Sequence, residues 1–153
     1  MKVGDLAPDF SLADDTGATR TLSGLLADGP VVLFFYPLAS SGGCTVESCH
    51  FRDLASEFAA VGAQRVGISA DSVEKQHTFS TTNSFDYPLL SDPDGSVAKA
   101  FDARRAWLPV APVKRRTFVI DTDRRVLEII KSESKMDHHA DEALTVLRGR
   151  SGS

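Results

Sequence analysis

The stretch Val31 to Asp53 reads VVLFFYPLASSGGCTVESCHFRD, and its three parts decide how the chain folds. Val31 to Tyr36 is short and apolar at every position. A strand with water on one face alternates apolar and polar residues, so an unbroken run fits a central strand buried on both faces. Pro37 ends the run, and Ser40, Ser41, Gly42 and Gly43 follow as a small polar loop. Cys44 then opens a segment in which Phe51, Leu54, Phe58 and Val61 recur at helical spacing. A thiol is thereby set at the first turn of a helix, just beyond a buried strand.

That position bears on reactivity. A thiol attacks as its thiolate, and an ordinary cysteine is only about 3% ionised at neutral pH. The first helical turn offers unpaired N–H groups and the positive end of the dipole, which favour a bound negative charge. Ser41 is read as the N-cap, which makes Cys44 the third helical residue. The Ser41 hydroxyl then meets either the Cys44 amide or a bound oxygen atom. Gly42 and Gly43 are expected to turn the backbone sharply and leave the sulfur uncovered. The bland alternative, in which Cys44 and Cys49 are small buried apolar residues, fits poorly with a flanking loop of glycine and serine.

The whole chain sets the bounds. Its 153 residues suffice for one ordinary domain with a full core. Residues 1–148 are read as that domain, and 149–153 as a short flexible tail that frays. Apolar residues at 42% and charged residues at 25% suit a soluble globular protein. No apolar run approaches the roughly 20 residues of a membrane span, and the N-terminus has no apolar signal core. The expectation is therefore a cytoplasmic protein. A net charge of −4 gives no reason to expect nucleic-acid binding. Two cysteines are too few for a disulfide scaffold, and in the cytosol such a pair points to catalysis or metal binding.

Outward from the central segment, Phe10 to Leu12 reads as a short strand before the turn Asp14-Asp15-Thr16-Gly17. Arg65 to Ser69 is a second strand, and Ser72 caps a helix that runs to about Asn83. Ser91 to Gly95 is a turn, and Ser96 to Phe101 a short helix. Arg116 to Ile120 and Val126 to Ile130 are two strands. Their linker, Asp121 to Arg125, lacks the glycine of a tight hairpin and is expected to form a loop longer than two residues. His138 to Leu147 is the terminal helix. Early alternation of strands and helices indicates parallel pairing, and the late strand pair indicates antiparallel pairing. A thioredoxin-like α/β sandwich, with a central mixed β-sheet flanked by helices, satisfies both.

The spacing Pro37, Ser41, Cys44 resembles the active-site pattern of the peroxiredoxins, in which Pro, Thr or Ser, and Cys stand at these offsets. The continuation Cys44, Thr45, Val46, Cys49 resembles the bacterioferritin comigratory protein, or peroxiredoxin Q, subfamily. Further segments are similar along nearly the whole chain: Gly4, Ala7 to Phe10, Ile68 to Ser72, Pro88 to Asp92 and Thr117 to Asp121. Two departures are visible. Ser41 stands for the commoner threonine, keeping the hydroxyl, and Gly43 stands where a proline is usual.

The resemblance implies the thioredoxin-type fold and a thiol-dependent peroxidase acting on hydrogen peroxide and organic hydroperoxides. It implies Cys44 as the attacking thiolate, Cys49 as the resolving thiol, and thioredoxin or a similar thiol as reductant. No cofactor, no metal and a monomer or weak dimer go with it. The family's arginine, three residues before Phe118, falls on Arg115. Arg116 is its neighbour, and a one-residue slip would turn it to the opposite face. Pro37 is expected to shape the loop and shield the sulfur. Arg104, Arg105, Lys114, Arg115 and Arg116 lie in a segment without an acid, read either as a positive rim or as a solvated basic loop.

Helix geometry constrains the second step. Residues five apart lie about 140° around the axis and roughly 7.5 Å along it. A disulfide wants Cα atoms about 4.4–6.8 Å apart, so the helix must unwind locally to join Cys44 to Cys49. A zinc site of Cys44, Cys49 and His50 lacks regular spacing and an evident fourth ligand. His77, His138 and His139 are read as surface or capping residues. Trp107 lies near the arginines, lining the site or only packing there. Competing classes are a thiol–disulfide oxidoreductase, which would need a CxxC pair, a non-enzymatic redox sensor, and a structural domain with inert thiols.

Overall fold

A computed structural model describes residues 1–39, 41–104, 113–132, 135 and 137–151. Strands β1 (Ser11–Ala13) and β2 (Thr19–Thr21) form a small antiparallel ribbon, followed by α1 (Leu22–Leu26). Strand β3 (Val31–Phe35) leads into α2 (Gly42–Asp53) and α3 (Ala55–Ala60). Then come β4 (Gln64–Ser69), α4 (Val73–Asn83), β5 (Leu89–Ser91), α5 (Ser96–Ala100), β6 (Arg116–Ile120), β7 (Val126–Ile130) and α6 (His138–Ser151). The main sheet has the order β5-β4-β3-β6-β7. β3 pairs parallel with β4 and antiparallel with β6, so the sheet is mixed and β3 is its centre.

The central position explains the apolar run. Val31, Leu33 and Phe35 face one core, with Leu22, Leu26, Val97 and Phe101 from α1, α5 and the residue after it. Val32, Phe34 and Tyr36 face the other core, with Cys44, Phe51, Phe58, Phe79 and Leu144 from α2, α3, α4 and α6. Strand periodicity sorts them, and both faces are dry. Gly67 on β4 makes room on the second face. A Cβ there would lie 2.7 Å from Leu89, 3.0 Å from Phe34 and 3.1 Å from Tyr36.

Several expectations are refined. The helix expected from Cys44 through Val61 is two, broken at Leu54, whose ψ of 21° leaves the helical range. The loop Asp121 to Arg125 is indeed longer than two residues, and Arg124 takes the left-handed turn position (φ 69°) without a glycine. Its guanidinium donates to the Ala7 carbonyl at 3.0 Å, which holds the turn against the N-terminal segment. The expected tail beyond residue 148 is, as far as Ser151, the last turn of α6. Arg150 there pairs with Asp121 at 2.9 Å.

Candidate active site

The site forms where the second core meets the start of α2. Ser41 has extended backbone (φ −70°, ψ 155°), and its hydroxyl accepts from the Cys44 amide at 3.4 Å. The Ser41 carbonyl accepts the first helical bond from the Thr45 amide at 2.9 Å and a second from the Thr45 hydroxyl at 2.7 Å. Cys44 is the third residue of the helix, as the cap predicts.

Arg115 arrives from the opposite side of the sheet's end. It precedes β6 and has the same strand parity as Thr117 and Val119, which lie on the α2 and α6 face. Its guanidinium is buried and forks. Nη2 lies 3.4 Å from the Cys44 sulfur, and Nη1 donates to Glu47 Oε1 at 3.1 Å. Burial works against its charge, but Glu47 and Cys44 outweigh burial and hold the group above the ordinary arginine value. Arg116 belongs to the other face, beside Phe101 and Phe118. Of the expected cations that the structure describes, Arg104, Lys114 and Arg116 therefore lie away from the thiol. Arg104 and Lys114 line a separate depression with Lys99 and Asp102, and Arg105 and Trp107 lie outside the described residues.

The exposure of Cys44 differs from expectation, since its relative exposure is 0%. Gly42 and Gly43 already belong to the helix, so they do not hold an open loop over the sulfur. Tyr36, Phe34 and Arg115 pack on the same side. The burial is not that of an inert apolar thiol, because a cation lies against the sulfur and a helix start points at it.

Other side chains complete the arrangement. Glu47 is fully buried one turn after Cys44, and its Oε2 is 3.6 Å from His139 Nε2. His139 is fully buried as well, which corrects its reading as a surface or capping residue. It approaches Thr117 Oγ1 and the Ser132 carbonyl, each at 2.7 Å. A signal for Glu47 existed, since residues three apart share a helix face. His139 had none, because its partners are brought together only by packing. His77 and His138 are exposed, and the His77 ring meets the Asp15 carbonyl at 3.1 Å.

The loop ahead of the cysteine is anchored too. The Ala39 amide donates to Asp71 at 2.7 Å, and Asp71 accepts from Ser69 Oγ at 2.7 Å. Gln76 donates to Ser69 and accepts from the Tyr36 hydroxyl, so the residues bracketing Pro37 are tied to β4 and α4. Cys49, half-buried, faces Asn83 Oδ1 at 3.7 Å, and His50 pairs with Asp141 at 2.8 Å. These directions diverge from Cys44. Among the described residues no cluster of three or more His, Cys, Asp or Glu is arranged to hold a metal. Both cysteines are free thiols within one continuous helix. No described helix is long and apolar enough to cross a membrane.

A mixed five-stranded sheet between helices, with a cysteine at a helix start against an arginine, defines a thioredoxin-like domain with a thiol site. A family model described as the AhpC/TSA family matches residues 3–129, and the chain belongs to that family. The crystal structure of peroxidoxin BcpB from Mycobacterium tuberculosis is similar at a TM-score of 0.94 and 61% identity, with 97% of each chain covered. Peroxiredoxin Bcp of Bacillus subtilis is 35% identical over 155 residues, 99% of this chain and 98% of its own. The bacterioferritin comigratory protein of Xanthomonas campestris, described for its alkyl peroxide reduction activity, matches at a TM-score of 0.83 and 32% identity over 93% of this chain and 92% of its own.

Proposed function

We propose that the protein is a thiol peroxidase in which Cys44 attacks and Cys49 resolves. The observation that carries this reading is the Arg115 guanidinium 3.4 Å from a sulfur held at the start of α2. The Cys44 thiolate attacks the terminal oxygen of a hydroperoxide, and the O–O bond breaks. Sulfur gives two electrons and becomes a sulfenic acid, while the other oxygen leaves as water or an alcohol after taking a proton. Arg115, the first-turn amides and the Ser41 hydroxyl stabilise charge on the leaving oxygen. Pro37 holds the loop in shape. Exposed Leu38 and Val46 flank the segment and suit the alkyl part of an organic hydroperoxide as well as leaving room for hydrogen peroxide.

In the second step the first turns of α2 unwind and the Cys49 thiol attacks the oxidised sulfur. A disulfide forms and water leaves. Thioredoxin or a similar dithiol then reduces the disulfide through a mixed disulfide. Such recycling suits a reducing compartment, and the cytoplasm is where we place it.

A stopped-flow time course of reduced protein with hydrogen peroxide, followed by Trp107 fluorescence, tests this. Oxidation orders of magnitude faster than a free thiol, lost in Cys44→Ser, is expected. A second phase absent only from Cys49→Ser marks resolution. Oxidation of the native protein at free-thiol rates would sink the reading.

A further inference from the structure

Building on the peroxidase reading, we propose that His139 is a positioning residue for Cys44, acting through Glu47 on Arg115. A histidine in the first turn of a surface helix is normally solvated, yet this one has 0% exposure. Both ring nitrogens are engaged. Nε2 meets the Ser132 carbonyl at 2.7 Å, and a carbonyl only accepts, so Nε2 carries a hydrogen. Nδ1 meets the Thr117 hydroxyl at 2.7 Å, which can either donate or accept. The ring can therefore take up or release a proton at Nδ1 without losing either bond.

The ring also touches the site's ionic chain. Its Nε2 is 3.6 Å from Glu47 Oε2, Glu47 Oε1 accepts from Arg115 Nη1 at 3.1 Å, and Arg115 Nη2 reaches the Cys44 sulfur at 3.4 Å. Element by element, the titratable or charged groups of this cluster among the described residues include Cys44 and Glu47 from α2, Arg115 ahead of β6, and His139 from α6. Thr117 on β6 and Ser132 after β7 add a hydroxyl and a carbonyl.

Among the described residues, the Arg115 guanidinium is shared between the Glu47 carboxylate and the Cys44 sulfur. Whatever binds Glu47 more strongly elsewhere leaves more of the guanidinium's field for sulfur. His139 does that through space: its ring edge lies 3.6 Å from Glu47 Oε2, and a ring carrying hydrogen on both nitrogens attracts the carboxylate by its charge, while its hydrogen bonds go to Ser132 and Thr117. Removing it draws Arg115 toward Glu47 and disfavours the thiolate.

The test uses a Cys49→Ser background, in which Cys44 is the remaining thiol, with His139→Phe, His139→Gln and Thr117→Val added singly. Iodoacetamide alkylation is followed against pH, hydrogen peroxide oxidation at pH 7, and thermal melting in parallel. His139→Phe, which fills the volume but lacks both nitrogens, is expected to move the alkylation midpoint upward. On the acid side of that midpoint it should slow both alkylation and peroxide oxidation, by about tenfold for each unit the midpoint moves. His139→Gln and Thr117→Val shift in the same direction, so an unfolded Phe variant still leaves two arms. Profiles of the folded variants that superpose on the background, whatever their melting temperatures, overturn the proposal. Free-thiol oxidation rates in the background itself overturn the peroxidase reading, while the alkylation profiles still judge the effect of His139 on the thiol.

Discussion

The two halves of α2 are held by different physics. Gly42 to Glu47 is held by a serine cap and an ionic chain through Arg115. Ser48 to Asp53 is fastened by packing and by side-chain bonds to and from neighbouring elements. Phe51 stacks on Phe34 with ring centroids 4.1 Å apart. Tyr87 donates to the Ser48 carbonyl at 2.7 Å, Arg65 to the Phe51 carbonyl at 2.9 Å, and Arg52 to the Asn83 carbonyl at 2.7 Å. The half that carries Cys44, the proposed attacking thiol, is the one whose bonds depend on charge state. The half that carries Cys49 depends on burial, so the chemistry can loosen one without the other.

The largest test of this contrast exchanges the thiols. Cys44→Ser should reduce peroxide turnover to background. Cys49→Ser should keep a fast first oxidation and yield no intramolecular disulfide in non-reducing mass spectrometry. Equal losses in both steps would erase the distinction between the halves. Next comes Arg115→Ala, expected to slow the first oxidation by about 10²–10³, the usual loss for one charge-stabilising donor. Arg115→Lys restores charge but not the fork, and should recover only part of the rate.

Phe51→Ala attacks the other half. It should cost about 3–5 kcal/mol of stability, read by denaturant unfolding. Hydrogen exchange at residues 48–53 should then rise toward that of 42–47, and unchanged protection there would show that the ring stack is not the fastener. The smallest effect concerns Asp86, which grips Arg65 through two bonds of 2.9 and 2.8 Å. The Arg65 guanidinium holds the Asp86 carboxyl below the usual carboxylate range, although burial opposes it. A depressed acid contributes stability above its unfolded value, about 3.9, and loses it as pH falls through the lower folded value. Asp86 is half exposed and its charge is partly screened by solvent, so Asp86→Asn should cost about 0.5 kcal/mol at pH 7. That gap should close in melts taken at progressively lower pH.

A continuous apolar run made β3 readable, because a doubly buried strand has no polar face to confuse the pattern. β2 and β5, three residues each, were not read as strands, since so few positions show no period. Ser41 was readable because a cap and its amide partner are three residues apart in sequence. Arg115 came from the family resemblance, and strand parity agrees with the face it occupies. Two other features depend on contacts that no local pattern encodes. His139 meets Thr117 across 22 positions and Glu47 across the helix layer. Cys44 is covered by residues from β3 and the approach to β6, so a glycine-rich flank was a poor guide to its exposure.

The stack of Phe51 on Phe34 also bears on how quickly the enzyme could be reset. Starting a helix from coil is costly, with a nucleation factor of about 10⁻³, whereas extending an existing turn is nearly free. The turns from Ser48 to Asp53, pinned by that stack, remain as a seed when the preceding residues have let go. If the proposed Cys44–Cys49 disulfide forms and is then reduced, residues 42–47 need only propagate backward from this seed until Ser41 caps them. The return to a reactive thiol then skips nucleation and should be faster than the thiol exchange that precedes it.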